Sequence, residues 1–182
     1  MHYRLRPATL DDVPALHELI ARSIHGLGTA DYTREQIDAA LQGAFGVDTA
    51  LIRDGTYFVA EGSDGAIVAC GGWSRRRTLF GSDSRNERDE SWLDPGADAA
   101  KIRAFFVDPG HARHGLGRAM LERSEADARR AGFRSFEMMA TLPGQRLYER
   151  CGYLADPAID YPLPGGLTIR FVPMRKTVAG AS

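Results

Sequence analysis

Gly115 and Gly117 stand where an apolar stretch, residues 102–107, gives way through Asp108-Pro109 and a short basic loop to an amphipathic segment. Glycine at such a turn lets a ligand approach the backbone with no Cβ in the way. A helix start leaves several amide N–H groups unpaired and pointing outward, which suits a phosphate. Arg113, His114 and Arg118 add positive or titratable charge around the same turn. Between a strand and a helix the Gly-x-Gly pair reads as an anion cradle; on its own it is as easily a tight turn. The segment lacks the Lys-Ser/Thr ending of a nucleotide P-loop. It also lacks the third glycine and downstream acid of a dinucleotide fold, so nucleotide binding is the weakest reading.

Residues 112–117, Ala-Arg-His-Gly-Leu-Gly, resemble the acyl-CoA signature R/Q-x-x-G-x-G/A of the GCN5-related N-acetyltransferases, the GNAT superfamily. Both glycines match, whereas Ala112 stands where the family has Arg or Gln, with the charge of Arg113 one residue along. A second block, residues 143–153, resembles the family's late helix. Its back half, Leu-Tyr-Glu-Arg-Cys-Gly-Tyr, matches closely, while Thr141 and Gly144 replace the usual Asn and Ala. The end of the chain, Phe171-Val-Pro-Met-Arg-Lys176, is similar to the family's closing strand.

The resemblance implies an α/β fold: one GNAT-like domain over residues 1–176 and a tail over 177–182. Its sheet would be mixed and mostly antiparallel, splayed at two central parallel strands and flanked by helices. It further implies acetyl-CoA as co-substrate. Phe105, Phe106 and Val107 would lie along the pantetheine and acetyl group, and Arg113, His114, Gly115, Leu116, Gly117 and Arg118 around the pyrophosphate. Thr141 would sit beside the coenzyme, and the Tyr148 phenol would donate to the departing sulfur. Unperturbed Tyr and thiol have pKa values of ~10 and ~8.5, so partial donation is favoured over full proton transfer. The alternative is that Tyr148 is an amphipathic packing residue.

A base is harder to find. An amine with a Lys-like pKa of ~10.4 must lose a proton before it attacks. Residues 100–107 carry no carboxylate. Glu137 on the next strand is the nearest candidate, Asp98 and Glu90 could fold over the site, and each is equally a surface acid. A water chain to bulk serves as well. Trp73 could line an acceptor pocket or belong to the core. His111 and His114 lack the carboxylate or Cys spacing of a metal site, and no metal is expected. Cys151 has no base partner. The triplet Arg75-Arg76-Arg77 lacks interleaved aromatics, so it reads as a solvated strand end rather than a nucleic-acid footprint.

Composition fits this picture. A chain of 182 residues with 43% hydrophobic and 26% charged residues can bury one full core, and a net charge of −1 gives no pull toward nucleic acid or anionic membrane. No apolar run approaches the ~20 residues of a membrane span. Two cysteines, Cys70 and Cys151, fit a reducing cytoplasm. Three readings stay open: acetyl transfer to a small primary amine within a ternary complex, acetylation of a protein or peptide amine, and an acyl-CoA sensor without chemistry. A homodimer is a family-level expectation.

The elements that must position these residues follow from period and punctuation. Residues 2–6 alternate as a strand, with Tyr3 and Leu5 against His2, Arg4 and Arg6. Thr9-Leu-Asp-Asp12 and Thr33-Arg-Glu-Gln36 look like capping boxes, each opening a helix. Residues 56–61 and 66–74 flank Gly62-Ser-Asp-Gly65 as a hairpin. Residues 75–99 read as a long irregular excursion. After the cradle, Leu116, Met120, Ser124, Ala128 and Ala131 face the sheet; Arg118, Glu122, Glu125 and Arg129 form a wet face, with Glu125 and Arg129 an i,i+4 pair. A strand over 135–140, a helix over 143–150 and one or two closing strands complete the order.

Overall fold

The computed structural model describes residues 3–84 and 89–178. Residues 179–182 of the expected tail, and 85–88 of the excursion, lie outside the described residues. One mixed sheet runs in the order β1 (Arg4–Pro7), β2 (Tyr57–Glu61), β3 (Ile67–Ser74), β4 (Ala100–Val107), β5 (Ser135–Thr141), β8 (Thr168–Thr177) and β6 (Leu154–Ala155), with β7 (Ile159–Pro162) also paired to β8. Among the described strands only β4 and β5 run parallel, and every other pairing is antiparallel. The last strand reaches Thr177, one residue beyond the expected domain end.

Two apolar layers cover the sheet. On one face α1 (Val13–Leu27), α2 (Arg34–Ala40) and the short α3 (Thr49–Arg53) bury Leu16, Ile20, Ile37 and Leu51. On the other, α4 (Leu116–Arg130) and α5 (Leu142–Arg150) bury Leu116, Met120, Ala128 and Tyr148. The Thr33 box forms as expected: Gln36 N–H donates to Thr33 Oγ1 (3.2 Å) and the Gln36 side chain accepts from Thr33 N–H (2.9 Å). Asp12 reaches back to the Thr9 N–H (2.7 Å) over a single 3₁₀ turn, Leu10–Asp12, before α1 begins. The helix α3 is absent from the sequence reading; its five residues are too few to show a period.

The excursion is more ordered than its composition suggests. Leu93 N–H bonds the Arg75 carbonyl, Arg77 N–H the Ser91 carbonyl, and Thr78 N–H the Asp89 carbonyl, which sets residues 75–78 against residues 89–93. The arginine triplet is occupied: Arg75 lies over the Trp73 and Trp92 rings, Arg76 pairs with Asp54 (2.7 Å), and Arg77 pairs with Asp98 (3.2 Å).

Glu125 corrects the expected wet face of α4. It is buried, and its carboxylate accepts from Lys176 Nζ (2.8 Å), Arg129 (2.7 Å) and the Tyr153 hydroxyl (3.0 Å). Burial, with Glu125 beside it, pushes the Tyr153 phenol well above its ordinary pKa. An exposed i,i+4 pair contributes only about 0.3–0.5 kcal/mol. Breaking a buried charge network costs several times more. Glu125→Ala should therefore lower the unfolding free energy by about 3 kcal/mol in urea titration. A loss below about 0.5 kcal/mol would return Glu125 to the surface-pair account.

Candidate active site

Strands β4 and β5 are paired only at Ala100–Phe136 and Lys101–Glu137. Beyond that register β4 stays with β3 as far as Val107 opposite Ala69, and β5 stays with β8 as far as Thr141 opposite Phe171. A wedge therefore opens in the middle of the sheet. It forms an open cleft lined by residues of β4 and β5, Tyr148 and Phe171.

A bulge in β4 shapes the wedge. Two residues, Ala104 and Phe105, oppose Gly71 alone, and Ala104 adopts φ 58°, where a non-glycine residue is strained by about 1–3 kcal/mol. Gly71 is required there, because a Cβ on it would stand 2.8 Å from the Phe105 ring. From the buried side, the Tyr57 hydroxyl donates to the Ala104 carbonyl (2.9 Å). Burial raises the Tyr57 phenol well above its ordinary pKa and pushes the adjacent Cys70 thiol up to about 12, so both stay protonated.

Backbone alternation decides which amides face the wedge. Asp108 N–H donates to the Val68 carbonyl of the neighbouring strand (2.8 Å), so the Val107 N–H, one residue back, points the other way. The Val107 amide donates to Ser23 Oγ of α1 (3.1 Å), and no strand pairs with Phe105 on the open side.

The turn that enters α4 is made of left-handed backbone. Arg113 (φ 64°) and Gly115 (φ 80°) turn the chain through left-handed backbone into α4, and Gly115, the N-cap, supplies no capping side chain. The first intrahelical acceptor is the Gly115 carbonyl, bonded by Ala119, which leaves the Leu116, Gly117 and Arg118 amides of the opening turn without intrahelical acceptors. Gly117 serves packing: a Cβ there would stand 3.0 Å from Leu147 of α5. Arg113 and His114 are exposed, and Arg118 pairs with Glu122 (2.8 Å). Burial alone would raise the Asp108 carboxyl, yet the Gly110 amide (2.9 Å) and Arg22 (3.2 Å) hold it below its usual range and pin the strand end to α1.

Tyr148 stands on α5 with its ring edge-to-face against Phe105 (6.4 Å) and Tyr153 (6.1 Å). Among the described residues its hydroxyl makes no hydrogen bond, and the residue lines the cleft. Burial, aided by the nearby Cys151, raises its pKa well above the ordinary value. Gly144 lies one turn earlier, where a methyl group would stand 3.0 Å from Tyr148 Cε2, so the ring has its room because residue 144 is glycine. Thr141 and Phe106 line the same space.

Other candidates lie elsewhere. Glu137 sits at the closed end of the wedge, engaged by Lys101 Nζ (2.6 Å), and does not line the cleft. Asp98 and Glu90 hold Arg77 and Arg76. Trp73 is buried against Phe133 under α4, with its indole N–H on Asp127 (2.9 Å), which makes it a core residue and not a wall of the cleft. His111 packs edge-on against Tyr3. The Cys151 thiol is half-buried with its pKa raised, the opposite of an activated nucleophile. Among the described residues no group of three His, Cys, Asp or Glu could hold a metal, and no helix is long and apolar enough to cross a membrane.

Four residues that shape the site carry no signal in sequence. Ser23 meets Val107 from 84 residues away. Tyr32 accepts from the first amide of α5, Leu142 (2.8 Å), and donates to the Arg170 carbonyl (2.7 Å), so one hydroxyl, its pKa pushed up to about 12 by burial, fixes the start of the Tyr148 helix to β8. Arg103, which lines the cleft, forms a buried ion pair with Asp48 behind it (2.8 Å). Their partners come from distant turns.

Residues 15–153 match the model of the acetyltransferase (GNAT) family. The fold is similar to a GCN5-related N-acetyltransferase from Rhodopseudomonas palustris (TM-score 0.72, 18% identity, 98% of this chain and 97% of that one). It is also similar to the PaiA N-acetyltransferase of Thermoplasma acidophilum in complex with coenzyme A (0.66, 12%, 97% and 99%). The yncA protein of Salmonella typhimurium, with its cofactor acetyl-CoA, is similar over 100% of this chain and 97% of that one (0.65, 18%). No curated protein sequence matches the chain. At these identities the solved structures speak for the fold, and the family match over most of the sequence speaks for kinship: the chain belongs to the acetyltransferase (GNAT) family.

Proposed function

We propose that the protein transfers an acetyl group from acetyl-CoA to a small primary amine, directly, with both substrates bound together. The observation that carries this reading is the wedge itself: Phe105, which has no partner in the strand register, and Tyr148, whose hydroxyl is a hydrogen-bond donor, line one cleft whose β4 strand leads to the uncapped start of α4. The coenzyme would supply an activated acyl group as a thioester. The residues present fit it. The Leu116, Gly117 and Arg118 amides offer donors to a diphosphate, and the left-handed Gly115 has open space around its Cα where a Cβ would otherwise project.

Each protein group then has one task. The Phe105 amide donates to the acetyl oxygen as negative charge grows there, an effect that one donor in a dry site makes worth roughly 3–4 kcal/mol. Tyr148 holds its proton throughout the neutral range, because burial raises its pKa, and its hydroxyl donates to the departing sulfur. Proton removal from the amine falls to water, since among the described residues no carboxylate lines the cleft. That same absence favours a second reading, an acyl-CoA sensor, which predicts coenzyme binding and no thiol release with any amine.

Tyr148→Phe should lower kcat by roughly 10²-fold in a thiol-release assay while the Kd for acetyl-CoA stays within about twofold. Unchanged kcat would remove the donor role. The pH profile carries a second expectation. With no base of the protein's own, kcat/KM should rise about tenfold per pH unit up to the pKa of the acceptor amine, and the midpoint should move when an amine of different pKa is used. No falling limb from Tyr148 should appear below about pH 10, because a raised pKa keeps the protonated, active form to higher pH. A rising limb fixed between about pH 4 and 7 for every amine would mark a carboxylate or histidine base.

A further inference from the structure

We infer that the acceptor is a primary amine borne on an aromatic or branched apolar body, with no second charge. This deepens the acetyl-transfer reading and rests on it. The uncapped α4 turn and Tyr148 belong to the α4–α5 face, which leaves the opposite mouth of the cleft, under α1–α3, for the acceptor. That mouth is walled by Phe45, Phe80, Phe106 and Phe171, packed edge to face at 5.7–6.2 Å, with Tyr161 closing on Phe80 at 4.9 Å.

The wall is built, not draped. Ser82 N–H and Oγ both donate to the Gly43 carbonyl (3.0 and 2.9 Å), and Asp83 N–H donates to the Val47 carbonyl (3.0 Å), stapling the segment after Phe80 to the one around Phe45. Arg103 ties both together through Asp48 (2.8 Å) and the Gly81 carbonyl (2.7 Å). The cation at the wall is thus already matched by a buried carboxylate, so a substrate carboxylate would lose water without gaining an unmatched charge. A second ammonium would be equally ill-served, since among the described residues no acid lines the cleft. An apolar body brings no charge that would lose its water unmatched, and it can pack against the rings.

The test uses the whole protein with acetyl-CoA and matched amines: 2-phenylethylamine, tyramine, ethylamine, spermidine and a lysyl peptide, with thiol release as the readout. The kcat/KM for 2-phenylethylamine should exceed that for ethylamine or spermidine by about 100-fold. Phe80→Leu and Phe80→Ala should raise the KM for 2-phenylethylamine, the latter by about tenfold or more, with the Kd for acetyl-CoA unchanged. Equal or faster turnover of spermidine or of the lysyl peptide overturns the inference and leaves acetyl transfer standing. So does a KM indifferent to both Phe80 variants in protein that melts cooperatively. Coenzyme binding with no thiol release from any amine overturns both.

Discussion

Strands β4 and β5 part after Lys101 and Glu137, and the divergence exposes backbone donors and acceptors on both inner edges of a sheet that is otherwise paired across its centre. Unpaired peptide groups inside a protein cost about 1–3 kcal/mol each when nothing satisfies them. A sheet opened this way at its centre is therefore stable only if side chains, water or a ligand take up those groups, as Ser23 does for the Val107 amide. The bulge at Ala104 bends β4 away, Tyr57 holds the strained carbonyl from behind, and the α5 helix places the Tyr148 ring against Phe105. Chemistry and architecture meet at that gap. The features that prevent β4 and β5 from zipping together are those that leave Phe105 and Tyr148 lining a cleft.

Both helical layers support the opening. On the α1–α3 side, Ser23 takes up the Val107 amide and Arg22 holds Asp108, so the strand end that leads into α4 is braced by α1. Tyr32 performs a similar service for β5 and α5, accepting from Leu142 and donating to Arg170 in one hydroxyl. On the other side Glu125 gathers Lys176, Arg129 and Tyr153, joining α4 to β8 and to the turn after α5. Each network fixes an element that borders the cleft or the turn into α4.

Much of this was legible in sequence because it is local. The Thr33 box, the left-handed glycine that opens α4, and the helix bearing Tyr148 each announce themselves within a few residues. What escaped depends on chain distance. Glu125 looks like half of a surface pair until Lys176 arrives from 51 residues away. Glu137 looks like a free base until the parallel register sets Lys101 against it. Trp73 could have faced either layer, and the pairing of β3 with β4 sends it under α4. Ser23, Tyr32 and Arg103 are ordinary polar residues in sequence, and only tertiary contact gives them roles.

Amide hydrogen exchange with and without coenzyme A tests the central claim most directly, since it reads the exposed backbone itself. If the wedge and the α4 turn hold the coenzyme, exchange at Phe105 and at residues 116–118 should slow by about tenfold or more at saturating ligand, with β1 and β2 unaffected. Unchanged exchange at those amides, or slowing confined to the far edge of the sheet, would contradict the account.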